Sequence, residues 1–207
     1  MEQYKTIKEE TVTQFVEKRS RFICYCCPIK SEEEATEYIK NVSSKHWDAK
    51  HNVYAYRIRN QQIERYSDDG EPQGTAGIPV LNVLKGVEVQ DIVVVITRYF
   101  GGILLGTGGL VRAYSKGAKL AVENSKIVVM KKCKIVRAEV AYGIYGKVEN
   151  VLKNFETIIN NTEFLENVTV NLSVETGQYD KLEKKLNELS SGEILMEVLD
   201  ERYCSFK

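Results

Sequence analysis

The sequence predicts a two-domain α+β protein. Three observations carry this. Stretches with helical hydrophobic spacing alternate with stretches of strand spacing along residues 1–130. The pattern then changes around Lys126 to Lys134, which places the domain boundary between residues 130 and 131. Residues 131–207 read β-α-β-β-α-β, the element order of a ferredoxin-like sandwich. With 43% hydrophobic and 28% charged residues, the 207-residue chain has the means to bury a core in each part.

In the N-terminal part, Arg21 to Ile29 reads as a strand. Ser31-Glu32-Glu33-Glu34 fits a capping box, in which the serine oxygen and the Glu34 carboxylate each accept from an exposed backbone donor. Ala35, Tyr38, Ile39 and Val42 follow at helical spacing. Val53 to Ile58 is a strand, Arg59 to Arg65 a turn and return strand, and Ser67 to Gly77 an irregular stretch. Ile78 to Leu84 forms a short helix, Asp91 to Tyr99 a buried strand rich in β-branched residues, and Leu110 to Glu123 a helix.

In the C-terminal part, Ile135 to Tyr142 is the first strand, and Tyr145, Val148, Leu152 and Phe155 mark a helix. Val168, Val170, Leu172 and Val174 alternate with polar residues, as a half-buried strand does. Tyr179, Leu182, Leu186 and Leu189 mark the second helix, and Ile194, Met196 and Val198 are assigned to one face of the last strand.

Lys+Arg and Asp+Glu both total 29, so a nucleic-acid role would have to rest on a local patch. No apolar run approaches the roughly 18 residues of a membrane span. The polar start Met1-Glu2-Gln3-Tyr4-Lys5 lacks the apolar core of a signal peptide, so the expected location is the cytoplasm. The odd number of cysteines (Cys24, Cys26, Cys27, Cys133 and Cys204) predicts reduced thiols, and C-x-C-C is not the C-x-x-C spacing of a zinc or redox site.

The strongest local signal is the run Arg98 to Tyr114, in which Gly101, Gly102, Gly106, Gly108 and Gly109 join a buried strand to a helix. Glycines permit positive φ and close approach of another backbone. A helix starting near Gly109 points unpaired N–H groups at the loop and favours an anion there. Arg112, Lys116 and Lys119 share one helical face, and Arg98 enters from the strand. Together they predict a phosphate-binding concavity; the same pattern also fits a tight turn with a solvated basic face. Neither a Walker motif nor a G-x-G-x-x-G fingerprint is present.

The second signal is Tyr66 to Pro79, where Asp68, Asp69 and Glu71 offer oxygen ligands to a hard cation, caps for backbone donors, or partners for Arg98 or Arg57. The third is His51-Asn52. His46 and His51 are the only histidines, so any imidazole chemistry uses one of them. No nucleophile elbow is present, no catalytic set is assigned and no cofactor is expected.

On Lys18 to Ile23, His51-Asn52 with Ala55-Tyr56, Tyr66 to Pro79, and Arg98 to Tyr114, the sequence resembles the YigZ/IMPACT family, over essentially the whole chain and in the bacterial form without an RWD domain. It departs at Cys24 to Cys27 and at Val53, where cysteine is common. The resemblance implies an N-terminal domain like domain IV of elongation factor G and the GHMP kinases, and a C-terminal domain like domain V of that factor. Eukaryotic relatives regulate translation by competing for a co-activator of a starvation-sensing kinase.

The reading that follows is a non-enzymatic protein that binds RNA, the ribosome or a translation-related protein, with no membrane partner. Its binding surface takes in Arg98, the five glycines, Arg112, Lys116, His51, Asn52, Asp68, Asp69 and Glu71. A phosphate- or nucleotide-dependent enzyme built on the glycine loop and a pure protein-interaction regulator are the alternatives.

Overall fold

A computed structural model describes residues 3–60 and 62–206; Gln61, in the turn expected between Arg59 and Arg65, lies outside them. The described residues form a mixed α+β protein with two antiparallel sheets, divided into two compact units. One runs from Lys5 to Val128. The other takes the chain from Val129 onward with the residues before Lys5.

The strands of the first unit's sheet are β2 (Thr11–Glu17), β3 (Ser20–Pro28), β4 (His51–Ile58), β5 (Ile63–Ser67) and β6 (Ile92–Tyr99), in the order β2-β3-β6-β4-β5. Its helices are α1 (Glu32–Lys45), α2 (Gly77–Val87) and α3 (Thr107–Asn124). The central strand β6 explains the layers. Val93 and Val95 point to one face, where Tyr25, Tyr56, Ala35 and Val42 pack under α1. Ile92, Val94 and Ile96 point to the other, where Phe22, Val80, Leu84, Tyr114 and Ala118 pack under α2 and α3. A strand covered on both faces has no reason to alternate, which is why this stretch is apolar throughout.

Helix α1 starts as its sequence requires. Ser31 Oγ accepts from the Glu34 N–H at 3.3 Å, and the Glu34 carboxylate accepts from the Lys30 N–H at 2.7 Å. Helix α3 begins at Thr107, earlier than the expected Gly109, because Gly106 turns the chain with φ of 72°. Gly117, inside α3, is small for a packing reason: a Cβ there would lie 2.9 Å from Cys24 Sγ and 3.1 Å from Ile96. The three cysteines of β3 are packing residues, and burial pushes the thiols of Cys24 and Cys26 up to about 12.

The second unit contains β7 (Ile127–Val140) from Val129 onward, α4 (Tyr142–Leu152), β8 (Thr157–Phe164), β9 (Val168–Glu175), a short 3-10 turn, α5 (Tyr179–Ser190) and β10 (Leu195–Ser205). The sheet order is β10-β7-β9-β8, with β1 (Gln3–Ile7) also beside β7. One core joins Val136, Ala138, Val168, Val170, Leu172 and Val174 to Val148, Leu152, Leu182 and Leu186, so both helices cover one sheet face.

One expectation is corrected here. Cys133 and Cys204 are bonded to each other, so these two thiols are not free; the bond joins β7 to β10, strands already paired along their length. Met196 and Val198 keep one face, opposite Ala138 and Val136, ahead of the register shift between Val198 and Asp200; Met196 packs on the core and Val198 is exposed.

Candidate functional site

Register places the signals at one end of the first unit's sheet. On β6, Arg98 sits opposite Phe22 and His51, and Tyr99 sits opposite Arg21. Four segments therefore converge there: the β2–β3 hairpin tip, the start of β4, the loop after β5 and the glycine loop after β6.

The loop after β5 is held by its own acids. Asp68 accepts the N–H groups of Gly74, Ala76 and Gly77 at 2.8, 3.0 and 2.8 Å. The Asp69 carboxylate accepts the Asn52 N–H at 2.6 Å, and the His51 Nδ1–H donates to the Asp69 carbonyl at 2.8 Å. Asn52 in turn accepts from the Thr97 hydroxyl at 2.7 Å. Glu71 is buried and takes Arg98 Nη1 at 2.6 Å and the Tyr114 hydroxyl at 2.7 Å. Burial, followed by the charge of Glu71, raises the Tyr114 phenol well above its ordinary range and keeps it a donor. These carboxylates serve as caps and partners within the loop.

Arg98 is corrected as well. Its side chain is 5% exposed, bonded to Glu71 and to Ser20 Oγ, so it braces the loops and does not join the surface cations. The Ser20 hydroxyl also accepts the Gly101 N–H at 3.3 Å. Gly101 is needed there because a Cβ would meet the Arg19 carbonyl at 2.1 Å. The facing hairpin tip is unusual: Lys18 and Arg19 both have positive φ, 44° and 66°, the geometry of a two-residue primed turn normally given to Asn and Gly. Two cations are thus held at a tight turn at some conformational cost.

The open part of the site lies at the start of α3. Lys18, Glu17, Leu105, Gly109, Arg112, Ala113 and Lys116 line a depression of about 240 Å³. No side chain caps α3, and its first turn holds no acid, so its N-terminal N–H groups and dipole are not neutralised by the helix itself. Lys116 lies 4.7 Å above the Phe15 ring and 4.0 Å from Glu17, the one carboxylate of the depression. Lys119 is drawn off along the helix to Glu123. Gly102 and Gly106 have positive φ and open space around them, and the loop they bracket exposes Ile103 and Leu104 next to Phe100. His51, Asn52 and the acids therefore gather around Arg98, while Arg112, Lys116 and Gly109 form a separate basic hollow.

A second polar cluster escaped sequence reasoning. Tyr25 donates to His46 Nε2 at 2.6 Å, His46 Nδ1–H donates to the Tyr99 oxygen at 2.9 Å, and Tyr99 donates to Asp48 at 2.8 Å. This chain of donors is the one a neutral imidazole makes. Burial, helped by Lys45 and Arg21 against the opposing pull of Asp48, lowers the His46 pKa in agreement.

Fold and site together define a two-unit α+β protein with a glycine-rich strand-to-helix loop at one sheet end. Comparison with known proteins makes the assignment specific. The Impact N-terminal domain matches residues 18–122, and a domain of unknown function matches residues 139–193. The IMPACT family member YvyE of Bacillus subtilis is 39% identical over 91% of this chain and 88% of its own length. The IMPACT family member YigZ of Escherichia coli is 32% identical over 89% of this chain and 92% of its own. A crystal structure described as that of a hypothetical protein superposes with a TM-score of 0.63 at 30% identity, covering 98% of this chain and all of that one. The chain belongs to the IMPACT family. The Protein IMPACT homolog of Dictyostelium discoideum matches over 44% of this chain at 41% identity.

Proposed function

We propose that this protein is a non-enzymatic binding module that acts on RNA or the ribosome in the regulation of translation, from the cytoplasm. The observation that carries the reading is the hollow at the start of α3, where Lys18, Arg112 and Lys116 surround an uncapped helix N-terminus. Cations on a helix flank beside free N–H groups are suited to backbone phosphate. The likeness of residues 1–130 to elongation factor G domain IV and the GHMP kinases, and of residues 131–207 to domain V, is part of the proposal. The strand order β10-β7-β9-β8 supports the ferredoxin-like reading of the second part.

Ribosome co-sedimentation at low and raised salt tests it. Binding is expected at low salt and falls steeply as salt rises. Absence of binding at low salt rejects the proposal. A second reading, docking of a translation-related protein, is favoured by the exposed Phe100, Ile103 and Leu104, the last 82% exposed. Retention of a protein partner after nuclease treatment would select it.

A further inference from the structure

Trp47 is the only tryptophan of the chain, and it is 84% exposed. An indole left in water forgoes the burial that normally makes tryptophan a core or interface residue. Its backbone is nevertheless fixed on both sides. The His46 N–H bonds to the Val42 carbonyl at 3.1 Å, and the Ala49 N–H to the His46 carbonyl at 2.9 Å. The His46 ring is held between Tyr25 and Tyr99, and Asp48 receives the Tyr99 hydroxyl. The polar cluster around His46 thus fixes both neighbours of Trp47 and leaves the indole outside.

Its surroundings indicate what it would meet. Lys45 Nζ stands 5.4 Å from the Tyr25 ring centroid, and the Arg21 guanidinium 4.5 Å from that of Tyr99. Both are close enough to act on the His46 charge between them. The acid present, Asp48, is already engaged by Tyr99. The chain neighbours Ser44, Lys45, Asp48 and Lys50 are exposed and polar, so the segment that carries Trp47 supplies no apolar ring of the kind that seats a protein hot spot. An exposed flat aromatic whose neighbour His46 has Lys45 and Arg21 grouped around it matches a stacked base with its flanking phosphates.

We propose that Trp47 is a stacking platform for an unpaired base of RNA, with Lys45 and Arg21 holding the adjoining phosphates. This rests on the proposed RNA binding and adds that the RNA is single-stranded where it passes α1.

Because no other tryptophan is present, emission excited at the red edge of the indole band, where the tyrosines absorb little, reports on this residue alone. Single-stranded oligouridylate added to the native protein is expected to quench the emission saturably, and duplex RNA of equal charge is not. Trp47→Ala is expected to weaken oligouridylate binding, read by anisotropy of labelled RNA, roughly tenfold, with Trp47→Phe recovering most of it. An unchanged melting temperature shows that the variants fold. If oligouridylate binds without quenching and Trp47→Ala binds equally well, the stacking proposal is overturned while the RNA reading stands. If no RNA binds at low salt, both fall. If emission changes only with a nuclease-resistant protein partner, Trp47 is a protein contact and the proposal is wrong.

Discussion

The loop between β5 and α2 and the loop between β6 and α3 meet at one end of the same sheet and are built in opposite ways. In the first, Asp68 and Asp69 close hydrogen bonds to backbone N–H groups, and Glu71 closes a buried ion pair with Arg98. In the second, the helix start has no side-chain cap, Arg112 and Lys116 are exposed, and Leu104 stands in solvent. Charge density alone therefore does not mark a binding surface. The acid-rich loop is a brace, and the sparser basic loop is the part left open to solvent.

The contrast gives way most visibly at Arg98. Arg98→Ala leaves Glu71 buried with Tyr114 as its remaining partner, and loss of one member of a buried pair costs about 3–5 kcal/mol. Urea unfolding should show this; a loss below about 1 kcal/mol would mean that the pair does not brace the site. Next comes Asp68→Ala, which strands three backbone donors and is expected to cost about 2 kcal/mol by the same measurement.

His46 gives a smaller, pH-dependent effect. Its folded pKa lies below the ordinary value near 6.5, so the unfolded chain takes up the proton first. The contribution is present in full above that value and is lost as pH falls towards the folded pKa. Comparing unfolding midpoints at pH 7.5 and 5, His46→Gln should lose less stability on acidification than the native protein; an equal loss would mean that His46 does not set this pH dependence. Smallest in stability is the double change Arg112→Ala with Lys116→Ala, expected within about 0.5 kcal/mol because both side chains are exposed. Its effect is reserved for binding.

Much of this was legible in sequence where the cause is local. The Ser31 cap needs only Glu34, and β9 alternates because one face is buried. Strand β2 was not legible, because its apolar Val12 and Val16 face solvent while Thr13 and Phe15 turn inward. Pairing with Arg98 was one of the uses the sequence allowed the acids after β5; that it buries Arg98 against Glu71, 27 residues earlier, and takes it from the helix cations follows only from the packing. The His46 cluster draws on Tyr25 and Tyr99, 21 and 53 residues away, and only the pairing of β3 with β6 brings them together. The Cys133–Cys204 bond spans 71 residues and was hidden for the same reason.

If the hollow at the start of α3, and not the acidic loop, faces RNA, Arg112 and Lys116, two of its three exposed cations, must help set how binding responds to salt. The salt dependence of RNA binding by Arg112→Ala with Lys116→Ala, measured beside the native protein, tests this. Weaker binding is expected, with the slope of log affinity against log salt reduced by about one for each phosphate no longer neutralised. Identical affinity and slope in a folded variant would contradict it.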